Sequence, residues 1–338
     1  MGQDHFVIIG SGPAGHSAAL TLRKKDPNAR ITLINKESKG CYHPHLLPSF
    51  ISGKVDEGSL YVSPVTAYGE RDIKLRSGQK VVDVNLKKRQ VILEHKEVIP
   101  FSGLIIAVGG RPRIPERLLP FQDLMLTLKT VEDGRAWKKK LRNSETLLVM
   151  GGDLTSFAFT EAMLHLKKKV HFMLNEDAFW PLRWDDALFE KVGQKLKAKG
   201  VNVLACRNIR AMSRQTDSAI EVLFDEERVV VNMIGAFFGL VPDIRFLARS
   251  GLQIDRGILV DEKLNAGFHD VYATGDCAQI YHPAIKDYWV SIGHENAVQL
   301  GRVAALNLLG GRVAATADQE CISDVQGIRV NTSWWEEF

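Results

Sequence analysis

Apolar runs and segments of helical periodicity alternate along the first third of the chain. The run "HFVIIG", residues 5–10, predicts a parallel strand that is buried on both faces. A glycine-rich turn and a helix-like segment follow it, and "RITLINKE", residues 30–37, predicts the next strand. The polar "KKR" inside "KVVDVNLKKRQVILEH" predicts a hairpin, and "GLIIAVGGRP" predicts another buried strand. This part of the chain is therefore predicted to be a β-α-β unit with an inserted hairpin.

The same alternation begins again at about residue 113 and continues to about residue 237. Its predicted elements are, in order, the helix "VEDGRAWKKKL", the strand "TLLVM", a glycine turn with a helix, the strand "KVHFML", the helix "DALFEKVGQKLKAKG" and the strand "VNVLA". After this second unit come "GILVDEKL", the strand "DVYATGD" and a long helix that ends in "GRVAALNLLGG". Alternating strands and helices with two glycine turns predict an α/β fold of two doubly wound units.

The composition agrees with this fold class and argues against several kinds of function. The chain has 338 residues, which is enough for two domains of ordinary size. Its net charge of +4 gives no argument for nucleic acid binding, and its apolar runs are too short to predict a membrane span. The start, "MGQDHFVIIGSG", goes directly into a strand, so no leader segment is expected.

The four cysteines are scattered along the chain, at Cys41, Cys206, Cys277 and Cys321. No two of them form a CxxC or CxxxxC pair, so we expect no redox-active dithiol from neighbouring cysteines. Their spacing gives no set of metal ligands either, and no metal site is expected. A reducing, cytoplasmic location agrees best with this pattern.

The sequence "VIIGSGPAGHSAAL" contains the G-x-G-x-x-G pattern of a dinucleotide-binding turn, and we call residues 10–15 the first glycine turn. In this pattern Gly10 makes the tight turn, Gly12 lets the backbone approach a pyrophosphate, and Gly15 lets helix and strand pack closely. The positive end of the helix then faces the phosphates. Such sites have an acid about 20 residues further on that binds the ribose hydroxyls. Glu37 is the only acid within reach.

Four segments of the chain share a pattern with one family of flavoproteins. They are "VIIGSGPAG", "LIIAVGGRPRIP", "GILVDEKLNAGFHDVYATGDCA" and "GRVAALNLLG". Together they resemble the FAD-dependent pyridine nucleotide–disulfide oxidoreductase superfamily, and within it the NADH–rubredoxin and ferredoxin reductase branch. The resemblance implies two Rossmann-like domains. The FAD domain, residues 1–112 and 238–311, is expected to be split around an NAD(P)-binding-like domain, residues 113–237, with a short tail at 312–338.

The resemblance also implies which residues bind FAD. Asp276 in "ATGD" is expected to bind the ribityl and phosphate part of the cofactor, and Val81 to contact the adenine through its backbone. The complete set of expected FAD contacts is Gly10, Gly12, Pro13, Ala14, Gly15, Asn35, Lys36, Glu37, Val81, Ala107, Gly109, Arg111, Gly275, Asp276 and His294.

Three features depart from the pattern of the family. The motif that resembles "YxRPxLP" is "YHPHLLP" here, so Pro44 and His45 replace its arginine and proline. His45 is therefore a candidate catalytic residue that faces the flavin and exchanges protons with it, and the alternative is an ordinary loop histidine. Cys41 lies close to the position of the redox cysteine in single-cysteine relatives, which leaves a peroxidase or coenzyme A disulfide reductase as an alternative. The C-terminal dimerisation domain of the family is expected to be missing or reduced to the tail.

The second glycine turn, residues 151–156 of "VMGGDLTSFAFTEAM", departs most from the expected pattern. Gly151 and Gly152 permit a tight turn, but Asp153 and Ser156 replace the second and third glycines. An anionic side chain that faces a diphosphate costs about 1 kcal/mol in water and several times more in a drier site. Leu174 stands where an NADH-binding acid is expected. NAD(P)H binding at Gly151, Gly152 and Asp153 is therefore doubtful: either the unit keeps the fold without a nucleotide, or the Asp153 side chain turns away.

The sequence predicts an enzyme, an FAD-dependent oxidoreductase. By resemblance, electrons pass from NAD(P)H through FAD to a small iron–sulfur protein such as rubredoxin or ferredoxin. The alternatives are an FAD electron-transfer subunit of a larger complex that no longer binds nicotinamide, and a flavin-bound interaction or sensing protein. Lysines at 138–140, 167–169 and 195–199 form either a basic surface for an acidic partner or ordinary solvated faces. The aromatic segments "AFWPLRW" and "SWWEEF" suggest docking surfaces.

Overall fold

The structure is a computed structural model and describes residues 3–174, 186–205, 208–225, 227–283, 286–315, 322–325 and 328–331. The helices in these ranges are α1 Pro13–Lys25, α2 Leu47–Ser52, α3 Thr66–Gly69, α4 Val131–Leu141, α5 Leu154–His165, α6 Asp186–Ala198 and α7 His294–Leu308. Within the described ranges, no helix combines the length and the apolar character needed to cross a membrane. Short 3₁₀ turns lie at Pro44–Leu46, Gly58–Leu60, Glu116–Leu124, Arg245–Leu247 and Gly275–Cys277.

The strands fall into two large parallel sheets and several small ones. The strands of residues 1–112 are β1 His5–Ile9, β2 Arg30–Ile34, β3 Ile73–Arg76, β4 Val81–Asn85, β5 Gln90–Leu93, β6 Val98–Pro100, β7 Gly103–Ile106 and β8 Gly110–Pro112. Those of residues 113–237 are β9 Met125–Leu126, β10 Thr146–Gly151, β11 Lys169–Leu174, β12 Asn202–Ala205, β13 Ile209–Thr216, β14 Ala219–Phe224, β15 Arg228–Val231 and β16 Met233–Phe237. The remaining strands are β17 Leu240–Pro242, β18 Ile258–Val260, β19 Asn265–Phe268, β20 Val271–Ala273, β21 Ala278–His282, β22 Asp287–Trp289, β23 Ile322–Val325 and β24 Ile328–Asn331.

The first large sheet has the order β19-β20-β7-β1-β2-β3, and its neighbours pair in parallel except β19 with β20. Every residue of β1 and β7 is buried, as expected for parallel strands that are covered on both faces. Ile9 lies opposite Ile34 on β2 and Ile106 on β7, so these three strands end at the same level. The first glycine turn, the residues after β2 and the turn after β20 therefore meet at one edge of the sheet.

Helices α1 and α7 pack closely against one another beside this sheet. A Cβ atom at Gly301 would lie 2.0 Å from the backbone oxygen of Ala14, so only glycine permits the contact. Ala18 of α1 and Leu300 of α7 are both buried in the core of this sheet. The contact fixes α7, and with it His294 at its start, relative to the first glycine turn.

The second large sheet has the order β12-β11-β10-β16-β9 and is parallel throughout. Helix α4 begins with a capping box formed by Thr130 and Asp133, and it buries Trp137 completely. The elements predicted for this unit agree with α4, β10, α5, β11, α6 and β12. The predicted α/β fold class, with two parallel sheets built from β-α units, is confirmed.

One part of the second unit was not predicted. Residues 209–231 form a three-stranded antiparallel sheet, β13-β14-β15, where the sequence pattern suggested only parallel strands and helices. On β14, Ile220, Val222 and Phe224 are buried while the residues between them are more exposed. Burial on one face gives this alternation, which differs from the continuous apolar runs that mark the parallel strands.

The segment of residues 42–60 follows β2 in the chain but packs into the core of the second sheet. Leu47 and Phe50 of α2 are buried there. A Cβ atom at Gly134 of α4 would lie 3.1 Å from the Phe50 ring, and Lys138 Nζ lies 4.4 Å from the centroid of that ring. These contacts hold the two units together beside the cavity described below. The domain boundaries at residues 112, 238 and 311 stay a prediction.

Candidate cofactor site

A cavity of about 1400 Å³ opens at the carboxyl edges of both parallel sheets. Pockets for drug-sized ligands measure about 300 to 1,000 Å³, so this volume suits a more extended ligand such as a dinucleotide. The cavity is lined by most of the residues that the sequence predicted as ligands, which are Gly10, Gly12, Pro13, Ala14, Asn35, Lys36, Glu37, His45, Val81, Ala107, Gly109, Asp153, Gly275, Asp276 and His294. Four other predicted residues do not line it: Gly15, Arg111, Gly151 and Gly152.

The first glycine turn leaves open space at the start of α1. Gly10 has a φ of 102°, and a Cβ atom there would lie 2.2 Å from the backbone oxygen of Ala107. A Cβ atom at Gly15 would lie 1.8 Å from the backbone oxygen of Gly10, whereas one at Gly12 would meet nothing within 4 Å. No side chain caps α1, and its first turn contains no acidic residue. The N–H groups at this helix start therefore remain available for an anion such as a diphosphate.

Glu37 follows β2 and lines the cavity close to Tyr42. The hydroxyl oxygen of Tyr42 lies 3.2 Å from Glu37 Oε2 and 3.2 Å from the backbone oxygen of Lys129, and it can donate to either. Burial raises the pKa of Glu37, and the hydrogen bond from Tyr42 lowers it. The carboxylate keeps acceptor capacity for a hydroxyl group, such as those of a ribose.

The two predicted neighbours of Glu37 already have protein partners. Asn35 Nδ2 donates to the backbone oxygen of Lys39 at 2.8 Å. Lys36 Nζ pairs with Asp243 Oδ2 at 2.6 Å. Both residues thus stabilise the loop after β2. Of the three, Glu37 has the side chain that can accept a hydrogen bond from a ribose, as the dinucleotide-binding pattern requires.

Asp276 lies in the 3₁₀ turn Gly275–Cys277 after β20, at the same edge as the first glycine turn. Burial raises the pKa of its carboxyl group, and the positive charge of Lys129 lowers it. Thr274 Oγ1 is buried and has no hydrogen-bond partner among the described residues, although Thr274 lines the cavity. A polyhydroxyl chain such as the ribityl part of FAD can supply the missing partner.

Lys129 is a cavity residue that the sequence analysis missed. It lies between β9 and α4, directly before the capping box of α4. Its charge acts on both Glu37 and Asp276, because it lowers the pKa of each carboxyl group. A lysine in a loop before a helix belongs to no motif, so only the tertiary structure shows this role.

Arg111 lies on β8, which pairs with β17 and places Arg111 opposite Val241. Its Nε is buried and has no hydrogen-bond partner among the described residues. The side chain does not line the cavity, although Gly109, two residues earlier, does so with a φ of 62°. A contact of Arg111 with the cofactor stays a prediction.

His45 lies beside two other histidines at the cavity. The ring centroids of His43, His45 and His294 are 5.1 to 5.4 Å apart, and we call these residues the histidine cluster. Partial burial lowers the pKa of His45 and of His294, which favours the uncharged form of both rings. A neutral imidazole has one nitrogen that donates and one that accepts. Sequence spacing could not show the cluster, because His294 is far from the other two along the chain.

In the second glycine turn, the carboxylate of Asp153 occupies the start of α5. Oδ1 accepts a hydrogen bond from the backbone N–H of Ser156 at 2.8 Å, and Oδ2 accepts one from Gly239 at 3.1 Å. The sequence prediction left two orientations open, with this carboxylate facing a diphosphate or turned away. The structure shows it bound to the N–H group of Ser156 at the helix start, which is where such turns bind a phosphate, and to the N–H group of Gly239 in the loop after β16. Enclosure by the protein raises its pKa to about 6, so it is mainly ionised at pH 7.

The rest of the second turn keeps the geometry of a tight strand–helix connection. Gly151 has a φ of 127°, and a Cβ atom there would lie 1.8 Å from the backbone oxygen of Phe237. Ser156 is fully buried, and its hydroxyl donates to the backbone oxygen of Asp153 at 2.6 Å, so a small residue fills the third glycine position. Leu174, at the end of β11, is also fully buried. The acids that follow it, Glu176 and Asp177, lie outside the described residues.

The cysteines described by the structure are unsuited to redox chemistry. Cys41 and Cys277 are free and buried. Burial raises the pKa of Cys41 to about 12 and that of Cys277 to about 11, so both stay protonated at neutral pH. The thiolate is the reactive form of cysteine, which disfavours the peroxidase and disulfide reductase alternatives. Cys206 and Cys321 lie outside the described residues.

The lysines expected to form a partner surface have structural roles within the chain. Lys138, Lys139 and Lys140 form the last turn of α4, where positive charge also stabilises the helix end. Lys168 donates to the backbone oxygen of Leu141 at 3.2 Å, and Lys199 pairs with Glu161. These local contacts account for the positions of the lysines without a partner protein. The segments "AFWPLRW" and "SWWEEF" lie outside the described residues.

Comparison with known sequences agrees with the geometry of the site. The sequence profile of the pyridine nucleotide-disulphide oxidoreductase family matches residues 4–301. Putidaredoxin reductase of Pseudomonas putida is 28% identical over 320 residues, which cover 91% of this chain and 74% of that protein. The nitric oxide reductase FlRd-NAD(+) reductase of Escherichia coli K12 is 28% identical over 277 residues, which cover 81% of this chain and 72% of that protein.

Comparison with solved structures gives the same fold. A chain of the covalent putidaredoxin reductase–putidaredoxin complex superimposes with a TM-score of 0.83 at 25% identity, over 97% of this chain and 81% of that chain. An NAD-dependent persulfide reductase from A. fulgidus superimposes with a TM-score of 0.86 at 22% identity, over 95% of this chain and 62% of that chain. The second likeness is one of fold alone. Both agree with an α/β architecture of two parallel, Rossmann-like sheets.

Proposed function

The chain belongs to the pyridine nucleotide-disulphide oxidoreductase family, and we propose that it passes electrons through FAD to a small iron–sulfur protein such as a rubredoxin or ferredoxin. One observation supports this proposal above the others. The uncapped start of α1 and the turn at Asp276 line the same cavity, as two contact points of one FAD molecule require. The names of the relatives, among them a putidaredoxin reductase, support the type of acceptor.

The cavity residues have separate roles in this proposal. The N–H groups at the start of α1 bind the diphosphate, and Glu37 accepts hydrogen bonds from the ribose of the adenosine. Thr274 and Asp276 bind the ribityl hydroxyls, and Lys129 supplies positive charge nearby. When bound, FAD supplies the redox chemistry, because it accepts two electrons and can release them one at a time. His45 remains the candidate for proton exchange with the flavin.

The geometry of Asp153 favours a second candidate function, an FAD electron-transfer subunit that takes its electrons from a partner in a larger complex. The carboxylate already accepts from the N–H group of Ser156 at the start of α5 and from that of Gly239 after β16, so neither donor is free for a nicotinamide diphosphate. It also adds negative charge at the same place. In this reading the second parallel sheet keeps the fold of a nucleotide-binding unit without its ligand.

Stopped-flow spectroscopy distinguishes the two candidates. The oxidised, FAD-loaded protein is mixed with NADH or NADPH, and loss of flavin absorbance is followed before oxidised ferredoxin or rubredoxin is added. Rapid bleaching by a nucleotide and reoxidation by the iron–sulfur protein support the first function. Failure of both nucleotides, together with reduction by a reduced iron–sulfur protein, supports the second. A folded protein that does not bind FAD contradicts both.

We also infer a reducing, cytoplasmic location. The two cysteines in the described part of the chain are both free thiols, which agrees with a reducing compartment. Fractionation of the cells that produce the protein tests this inference, and recovery outside the cytoplasm contradicts it.

A further inference from the structure

The histidine cluster brings together two distant parts of the chain at the wall of the cavity. His43 and His45 lie on either side of Pro44, which begins a 3₁₀ turn, and His294 is the first residue of α7. One ring nitrogen from each of the three residues lies within 4.8 Å of the other two. Three imidazole nitrogens at this separation can share one ligand.

Two nitrogen atoms of the cluster have no hydrogen-bond partner in the described part of the protein. They are Nδ1 of His43 and Nδ1 of His294, and both atoms are buried. A buried polar atom without a partner costs about 1 to 3 kcal/mol, so folded proteins rarely leave one without a partner from the protein, water or a ligand. In His294 the other nitrogen, Nε2, lies 4.0 Å from Glu295 Oε1, which leaves Nδ1 as the nitrogen without a partner.

We propose that His43, His45 and His294 bind one Zn²⁺ ion, or another first-row divalent ion that prefers imidazole, at the wall of the cofactor cavity. Three protein ligands with one open position form the ligand set of catalytic zinc sites. Zn–N bonds of about 2.0 to 2.1 Å place tetrahedral ligand nitrogens about 3.4 Å apart. The present spacing therefore requires a small movement of the rings toward one another. His45 is exposed, so its side chain is free to make this movement.

The surroundings of the cluster agree with a metal better than with simple ring packing. Packing alone leaves the two Nδ1 atoms without partners, whereas coordination through Nδ1 would supply them. Glu295 Oε1 lies 4.0 Å from Nε2 of His294, which places a negative charge beside the proposed ion. The exposure of His45 gives the ion a path from solvent. The fourth ligand position is then open to water or to a ligand in the cavity.

A metal at this site changes the role expected for His45. A ring nitrogen that coordinates an ion cannot exchange a proton with a flavin at the same time. Metal binding and direct proton exchange by that nitrogen therefore exclude one another. The proposed ligands are histidines joined only by the fold, so the cysteine spacing on which the expectation of no metal site rests could not indicate them.

The test is a metal titration that needs no turnover. The FAD-loaded chain, without an added histidine tag, is stripped with a chelator and titrated with Co²⁺, whose visible absorption beyond the flavin bands reports coordination. Zn²⁺ is then added as the competitor. We expect one ion per chain, with the spectrum of a tetrahedral site. Loss of a single outer-sphere partner lowers metal affinity about 10- to 100-fold, so loss of a direct ligand is expected to lower it by at least about 100-fold.

Four single variants make the test specific. His43→Ala, His45→Ala and His294→Ala are each expected to abolish tight binding, whereas His95→Ala, in an exposed turn after β5, is expected to bind as the parent does. His45→Ala removes an exposed side chain, so its fold should be preserved, and circular dichroism confirms this. Absence of Co²⁺ and Zn²⁺ binding to the parent overturns the proposal. Equal binding by the parent and the three cluster variants overturns it as well.

Discussion

Replacing Asp153 is the most direct test of whether its carboxylate opposes nicotinamide binding. We expect Asp153→Gly to bind NADH more tightly than the parent, because it frees the N–H groups of Ser156 and Gly239 and removes a negative charge. Glycine is a tolerated N-cap, so the helix itself loses only a few tenths of a kcal/mol. The lost hydrogen bond to Gly239 adds about 1 to 3 kcal/mol to the cost in stability.

The expected gain in affinity follows from the charge that is removed. A carboxylate about 4 Å from a diphosphate charge is repelled by about 1 kcal/mol in water and by about 4 kcal/mol at an effective dielectric constant of 20. Since about 1.4 kcal/mol changes affinity tenfold, the variant should bind NADH about 5- to 1,000-fold more tightly than the parent. The wetter the site, the closer the result will lie to the lower bound. Leu174 still lacks the carboxylate expected for the ribose, so the affinity should remain below that of a complete site.

The assay is the concentration dependence of flavin bleaching by NADH, with Asp153→Asn as the matched control. Asparagine keeps the size of the side chain and the acceptor for Ser156 but removes the charge. Improvement in both variants identifies charge as the obstacle, and improvement in the glycine variant alone identifies bulk. If neither variant gains affinity although both fold and bind FAD, Asp153 does not oppose NADH binding.

The same prediction has a pH dependence with a defined sign. The pKa of Asp153 is raised to about 6 by burial, so the carboxyl group is ionised above this value and neutral below it. The affinity of the parent for NADH should therefore rise as the pH falls from 8 to about 5. The Asp153→Asn variant has no such group, and its affinity should lack this change. An unchanged pH profile after the substitution would show that another group is responsible.

Four further substitutions test the FAD site and the thiol. Gly12→Val should leave the melting temperature of the flavin-free protein unchanged, because a Cβ atom there meets nothing within 4 Å. The same side chain fills the space at the start of α1, so FAD binding should weaken about 5- to 150-fold. Gly15→Ala should instead lower the melting temperature, because its Cβ would lie 1.8 Å from the backbone oxygen of Gly10, and a stable variant would contradict the close packing. Glu37→Gln should weaken FAD binding about 10- to 100-fold in a fluorescence titration, as expected for a lost hydrogen bond to a charged group, and an unchanged affinity would exclude a ribose contact. Cys41→Ser should retain flavin reduction and reoxidation rates, and a large loss of turnover would restore the thiol alternative.

The local features that the sequence predicted and the structure shows are those made by neighbours in the chain. Positions 10 and 15 require glycine because a Cβ atom there would meet backbone atoms of the same turn or of the residue after the adjacent strand β7. The parallel strand β1 is recognised because burial on both faces requires a continuous apolar run. The same local logic located α4, whose capping box stands within four residues of its start.

The antiparallel sheet β13-β14-β15 shows what the sequence pattern could not predict. Its strands alternate between buried and exposed residues, and such short alternating segments give a weaker signal than a long apolar run. The placement of α2 is similar, because Phe50 follows β2 in the chain yet packs on Gly134 of α4. Apolar character shows that Phe50 is buried, but it does not show against which sheet.

The chemistry of the protein also divides into features that the sequence predicts and features that only the tertiary structure decides. The sequence by itself determined the α/β fold, the family, the glycine-rich turn before α1 and the absence of the second and third glycines in the turn before α5. Only the tertiary structure decided that Asp153 binds Gly239, that Lys129 lies near Glu37 and Asp276, and that His294 joins the other two histidines. The physical reason is that turns and strands depend on residues adjacent in the chain. Charges and ligand sets depend instead on which distant segments the packing of two sheets brings within a few ångströms.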